Sequence, residues 1–292
     1  MNILEYENYQ EKKSHGDPLF PYITYPCSIP LDFHHVPLHW HDEVEIIYVK
    51  KGCGTITVDF SPCRVTAGTI VLIIPGRLHS IEQHGQECME YENIIFHPNI
   101  LLSRNTDTSS TDILQPLLSG SIALPLLYTP ESEGYLELSA CIDANDEISR
   151  MRPKGYPLFI KSQLFMLFFL LYSRCGVREH PGKQRKSFEK MKLVLKYIEN
   201  HYMDKITIEE IAAEAGLSQS HFMKYFKNTM GTSFTRYLNE YRLIMASRLL
   251  VSSDASILDI AAEVGFENLS YFNRTFKKRF SQTPREYRKE RT

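Results

Sequence analysis

At 292 residues and a formal charge of −2, the chain has room for two domains, each with its own core. Its six cysteines form no C-x-x-C pair and residues 1–20 are polar and charged, so neither a disulfide framework nor a secretory signal is expected, and reduced thiols in a cytoplasmic protein are. The near-neutral total hides an asymmetry: residues 1–180 carry 13 Lys and Arg against 22 Asp and Glu, whereas residues 181–292 carry 20 against 13, the balance expected of nucleic-acid binding confined to the C-terminal end.

In chain order, residues 43–96 read as short strands. Glu43–Lys51, Gly54–Asp59, Thr69–Ile74 and Tyr91–Phe96 are rich in Ile, Val and Thr and are broken by Gly52, Gly54, Pro62, Gly68 and Pro75-Gly76. Such spacing predicts a barrel or jelly roll. Within it, His39-Trp40-His41, Glu45 and Gly52 form H-x-H-x3-E-x6-G, and His79 follows Pro75-Gly76-Arg77-Leu78. If pairing is regular, residues 39, 41 and 45 share a strand face. Three readings of His39, His41, Glu45 and His79 stand side by side. They form a metal-assisted catalytic site, or an effector pocket in which histidines hydrogen-bond a ligand, or a strand end whose histidines pair with Asp42 and Glu43. The chain contains no nucleotide-binding glycine loop, G-x-S-x-G or H-E-x-x-H, and nothing else in it looks catalytic. Trp40, Tyr22, Tyr25 and Tyr48 can stack on a sugar, yet each taken singly reads as core.

Helical patterns follow over 131–151 and 157–175. The most apolar run, Leu164–Tyr172, is nine residues, short of the roughly 20 that a membrane span requires, so a buried or dimer-facing helix is expected and no membrane partner. Residues 177–187, with Pro181, Gly182 and little that is apolar, read as a linker.

The last third repeats itself. Ile208-Glu209-Glu210-Ile211-Ala212-Ala213-Glu214-Ala215-Gly216-Leu217 returns as Ile257-Leu258-Asp259-Ile260-Ala261-Ala262-Glu263-Val264-Gly265-Phe266, and Phe222–Lys227 returns as Phe272–Lys277. A solenoid needs three or more units, so two copies point to a matched pair of modules. In each, Thr207 with Glu210, or Ser256 with Asp259, supplies a capping pair that starts a helix. Gly216 or Gly265 ends it, and a second helix follows behind a short turn, which is a helix-turn-helix. Opposite the phenylalanines, the second helices present Ser220, Met223, Lys224 and Lys227, and Ser270, Asn273, Arg274 and Lys277. A short, polar, basic face suits the major groove: Arg274 can fork onto guanine and Asn273 onto adenine.

On these motifs residues 191–287 resemble the AraC/XylS family of bacterial transcription regulators. The specific stretch is Asp259–Phe266, Tyr271–Lys277 and Thr283-Pro284-Arg285-Glu286-Tyr287-Arg288, with Met223 and Ser281 as departures from the usual polar residue and glycine. Similarly, the histidine–glutamate pattern resembles the two cupin motifs, where such residues line a barrel mouth and can hold a metal. Here Phe33 replaces the leading glycine, and one extra residue lies between Gly68 and Pro75.

The expected fold is therefore α+β in two domains. Residues 1–176 form a cupin-like barrel for effector binding and dimerisation, with the contact through helices over 131–175. Residues 177–187 are the linker. Residues 188–292 form an all-α domain with two helix-turn-helix units, separated by a long helix over Ser233–Val251. The resemblance implies a non-enzymatic, effector-responsive regulator working as a homodimer on double-stranded DNA, with sugars a common effector class. Its DNA-facing residues would be Gln219, Ser220, Met223, Lys224, Lys227, Ser270, Tyr271, Asn273, Arg274 and Lys277, and its ligand-facing residues His39, His41, Glu45 and His79. No cofactor is expected, and whether the quartet takes a metal stays open.

Overall fold

A computed structural model describes residues 11, 15–102, 107–174, 178–179 and 182–291, and the chain divides into two compact units, 1–181 and 182–292. In the first unit the strands are β1 (Tyr22–Ile29), β2 (His35–His39), β3 (Val44–Val58), β4 (Ser61–Thr66), β5 (Ile70–Ile73), β6 (His79–Gln83) and β7 (Met89–Phe96). After them come helix α1 (Gln115–Leu118), the two-residue strands β8 (Ile122–Ala123) and β9 (Leu127–Tyr128), and helices α2 (Tyr135–Met151) and α3 (Tyr156–Arg174).

Every strand pairing is antiparallel, and β3 belongs to both sheets. Its first part, Val44–Gly52, pairs with β7, and Glu45–Tyr48 also pairs with β5; its second part, Cys53–Val58, pairs with β4 and β6. Gly52, expected as a break, instead lets one strand turn from sheet to sheet. It sits at φ +74°, and a Cβ there would lie 1.9 Å from the Cys88 carbonyl oxygen, so only glycine fits the bend.

Strand parity sorts the core into two layers. From β3, Val44 and Ile46 pack with Leu138, Ile142, Leu164, Leu167 and Phe168 of α2 and α3, while Ile47 and Val49 face the second sheet with Ile56, Val65 and Ile81. Both faces of this strand segment are buried, which explains its unbroken apolar run. The missed strands β1 and β4 contain Pro26 and Pro62. Among the described residues each pairs with a single neighbour, and an edge position tolerates a residue with no N–H.

The helices differ from expectation at their ends. α2 starts at Tyr135, not residue 131, because Thr129–Ser132 form a turn closed by Thr129 N–H donating to Ser132 Oγ, and Gly134 at the N-cap is left-handed. α3 ends at Arg174, and Cys175 lies outside the described residues. By length and composition α3, at 19 residues, could cross a membrane, yet Ile160, Leu164, Leu167, Phe168, Leu170 and Leu171 are buried within the unit. The expected linker over 177–187 is partly structured: β10 (Arg178–Glu179) pairs with β8, and helix α4 (Gly182–His201) begins within it. Residues 183–186 (Lys, Gln, Arg, Lys) are good helix formers, which a reading based on missing apolar residues overlooks.

The second unit continues with α5 (Ile208–Glu214), α6 (Gln219–Met230), α7 (Phe234–Ser252), α8 (Ile257–Glu263), α9 (Leu269–Phe280) and α10 (Pro284–Arg291). Thr207 and Glu210 complete a full capping box on α5, and Ser256 caps α8 through Asp259 N–H. After α5 and α8 the chain turns identically: Gly216 N–H donates to Ala213 and Leu217 N–H to Ala212, as Gly265 does to Ala262 and Phe266 to Ala261. Phe222, Phe226, Phe272 and Phe276 are fully buried, each worth roughly 1.5–3 kcal/mol in area removed from water.

One departure from the repeat carries a cost. The C-cap of α6 is Gly231 at φ +68°, whereas that of α9 is Ser281 at φ +59°. A side chain in the left-handed region is strained by about 1 kcal/mol. Ser281→Gly should therefore raise the stability of the C-terminal unit by roughly 0.5–1 kcal/mol, read by urea unfolding followed through helical circular dichroism; a loss of stability would show that the serine hydroxyl contributes more than its backbone costs.

Candidate ligand pocket and nucleic-acid interface

The structure brings His39, His41, Glu45 and His79 together: one ligand atom from each lies within 4.8 Å of all the others, and all four residues are buried. The geometry is not that of a single strand face, as the parity reading expected. His39 ends β2, His41 lies in the turn after it, and Glu45 is in β3. His39 faces inward because a bulge between Val36 and His39 shifts the β2–β6 register and sets His39 opposite His79. Glu45 shares the inward parity of Ile47 and Val49.

Each imidazole is held by a backbone carbonyl two residues away. Nδ1 of His39, His41 and His79 donates to the carbonyls of Pro37 (2.9 Å), Glu43 (3.2 Å) and Arg77 (2.9 Å). A carbonyl only accepts, so Nδ1 carries the hydrogen and Nε2 of a neutral ring presents a lone pair. The Nε2 atoms of His41 and His79 lie 2.9 and 2.8 Å from the same Glu45 carboxylate oxygen. Burial alone would push the Glu45 carboxyl up, but His79 and His41 beside it hold it well below the usual carboxylate range. For His39, burial and then the neighbouring His79 drive the ring well below an ordinary histidine, so it is neutral. Burial also opposes the charged form of His41, yet the bond to Glu45 and the charges of Glu45, Glu11 and Glu43 raise it overall.

Beside the quartet lies a cavity of about 410 Å³, whose lining includes His39, Glu45, Tyr25, Cys27, Tyr91, Asn93, Glu11 and His15. Sequence reasoning missed Asn93, although it shares the inward parity of Tyr91 and Ile95, where a polar residue in an apolar strand is a usable signal. Glu11 and His15 gave no such signal, since they precede the first strand. Of the aromatic residues considered for sugar stacking, Tyr25 lines this cavity, while Tyr22 packs on the helix side and Tyr48 lies beneath Lys50.

In the second unit, Gln219, Ser220, Met223, Lys224 and Lys227 of α6 are exposed, as are Ser270, Tyr271, Arg274 and Lys277 of α9, with Asn273 half-buried. The sequence did not reveal how α9 is braced. The Arg274 guanidinium lies over the Tyr271 ring at 5.5 Å, and Tyr271 Oη accepts from Asn239 Nδ2 of α7 at 3.3 Å. Arg242 of α7 donates to the carbonyls of Tyr202 and Asp204 after α4, and Arg288 of α10 to those of Leu250 and Ala255 at the end of α7. Each module thus has one arginine tying off carbonyls at the end of the helix before it. Arg279, equally basic, pairs with Glu240 at 3.0 Å.

Residues 30–139 match the AraC-like ligand binding domain, and residues 211–290 match a helix-turn-helix domain. Among curated proteins, the chain is similar to the uncharacterized HTH-type transcriptional regulator YdeC of Bacillus subtilis, 26% identical over 99% of this chain and 98% of that protein. It is also similar to the HTH-type transcriptional activator RhaS of Escherichia coli O139:H28, 25% identical over 87% of this chain and 88% of that protein. A solved structure, the C-terminal domain of the two-component response regulator yesN from Fusobacterium nucleatum, is 33% identical over 34% of this chain and 98% of that one, with a TM-score of 0.33.

Proposed function

We propose that this chain, which belongs to the AraC-type family of helix-turn-helix transcription regulators, couples occupancy of the barrel cavity to DNA binding by α6 and α9. The observation that carries the reading is the pairing of two braced, outward-facing basic helices with a separate unit that encloses a polar cavity beside four buried ionisable residues. Lys224, Lys227 and Lys277 neutralise phosphates, giving salt-dependent affinity. Arg274 and Asn273 read base edges, while Met223 offers an apolar contact for a thymine methyl. Gln219, Ser220, Ser270 and Tyr271 complete the two groove-facing surfaces.

His39, His41, Glu45 and His79 form the inner end of the effector site, and a sugar or related polyol is the class the acceptor-rich lining favours. The protein works in the cytoplasm as an activator, a direction supported by the activator among its relatives, and has no catalytic function. It is a homodimer through α3, where Leu158, Phe165, Phe169 and Tyr172 form an exposed apolar stripe at near-heptad spacing that a second copy would cover.

Two experiments follow. On a site enriched from random duplex DNA, Arg274→Ala should cost about 1–3 kcal/mol and relax preference at one base pair, whereas Lys277→Ala should weaken all sequences alike and lower the salt slope by about one. Equal behaviour of the two variants would make Arg274 a phosphate clamp. Sedimentation should show a dimer that Phe169→Glu converts to monomer; a monomeric parent protein would remove the role given to α3.

A further inference from the structure

Helix α9 is seated by apolar packing, and that packing alone does not place its long reading residue. Phe272 and Phe276 are fully buried, while Tyr271 is 39% exposed, so its ring adds little to the core. Arg274 is exposed as well. A free arginine on a helix surface samples many rotamers, and fixing one of them on DNA costs binding free energy. Three contacts nevertheless converge on Tyr271. Its ring meets that of Phe266 at 6.0 Å between centroids, its hydroxyl accepts from Asn239 Nδ2 at 3.3 Å, and the Arg274 guanidinium lies 5.5 Å over its face. The hydrogen bond joins α7 to α9 across 32 residues of sequence.

We infer that Asn239 of α7 sets the base preference of the second module, by fixing the Tyr271 ring as a platform that presents Arg274 to the DNA. A phenol held at its hydroxyl and against Phe266 keeps one rotamer, so the cation over its face is held too. An arginine resting on a ring keeps the N–H edge of its planar fork free, and that edge is what pairs with guanine O6 and N7. Asn239 is a positioning residue: it touches Tyr271 and acts on DNA through Arg274. The inference rests on Arg274 reading a base edge.

Bracing of the fold does not account for this arrangement. Leu243, Ala246 and Leu250 of α7 already share one buried cluster with Phe272 and Phe276, and a hydrogen bond at the surface adds little to such packing. The next residue of α7, Glu240, pairs with Arg279 at 3.0 Å, and both side chains are exposed, so that pair is worth little energetically. Arg279 lies about two turns of α9 beyond Tyr271 and is not one of the groove-facing residues, so Glu240 has no route to a base through its partner. The platform belongs to the second module. At the repeat positions of Tyr271 and Arg274, α6 has His221 and Lys224, and a lysine is a point charge without a fork.

The test measures base preference with the full-length protein. A site is enriched from random duplex DNA, Arg274→Ala identifies the base pair whose preference it relaxes, and duplexes varied at that pair then compete for each variant. Asn239→Ala should bind the preferred duplex about two- to five-fold more weakly and lose discrimination at that same base pair, with the preference at other positions kept. Alanine is a better helix former than asparagine, so α7 is retained, which helical circular dichroism verifies. Tyr271→Phe keeps the ring and removes the hydroxyl, so it should reproduce the effect, and Asn239→Ala added to it should cost nothing more. Glu240→Gln should leave the base preference as it stands. A loss spread evenly over all duplexes, additive losses in the Asn239→Ala, Tyr271→Phe double variant, or an equal loss of preference in Glu240→Gln overturns the positioning role. If Arg274→Ala itself weakens every duplex alike, the base-reading assignment fails and the inference with it. If Arg274→Ala relaxes one base pair and Asn239→Ala relaxes none, the inference alone fails.

Discussion

A backbone carbonyl or amide stranded at the end of an element must find a partner, and in this protein the side chains that answer those groups also build its working surfaces. In the barrel, the carbonyls of Pro37, Glu43 and Arg77 are met by three imidazoles. Each ring spends Nδ1 on the backbone, which leaves Nε2 of His41 and His79 beside Glu45 and Nε2 of His39 towards Glu11. The quartet's chemistry is thus a by-product of how strand ends are satisfied, and a change in the local backbone would be felt as a change of tautomer. In the helical unit, Thr207, Ser218, Ser233, Ser256 and Asn268 meet the first amides of α5 to α9. Arg242 and Arg288 meet carbonyls after α4 and α7. Helices of seven residues are too short to stand alone in water, so these partners and the buried phenylalanines hold α5 and α8 in place.

Much of the helical unit was legible because its signals are local. A capping pair, a glycine at a left-handed turn and a phenylalanine pair at helical spacing each act within a few residues, and the repeat states each twice. The arginine ties were not legible, because Arg242 and its carbonyl acceptors are about 40 residues apart. The barrel was harder. Gly52 looks like a break on composition, yet a glycine can as well bend a strand that continues. Prolines concealed β1 and β4, and only the pairing pattern shows that these are edges where proline is tolerated. Residues 39, 41, 45 and 79 were rightly grouped, but on a parity argument that fails at the bulge before His39. Motif spacing carried that grouping; the hydrogen-bonded rings that give it a chemical meaning lay beyond sequence.

The cavity and helices α6 and α9 belong to separate compact units, and the coupling proposed between them is an equilibrium property. A ligand shifts DNA affinity only if it binds one arrangement of the chain more tightly than another. Coupling of about 1–3 kcal/mol, typical of such systems, changes affinity by roughly 5–150-fold, enough for control without abolishing basal binding. The core is packed on both faces of the shared strand β3, against the second sheet on one side and against α2 and α3 on the other.

The central claim is that one chain reads DNA with two helices, α6 and α9, set apart by the 19 residues of α7. Hydroxyl-radical footprinting of the full-length protein on an enriched site measures this most directly. The account predicts two protected patches per protomer on one face of the duplex, about one helical turn or roughly 10 base pairs apart. A single patch per protomer, or two on opposite faces, would contradict it.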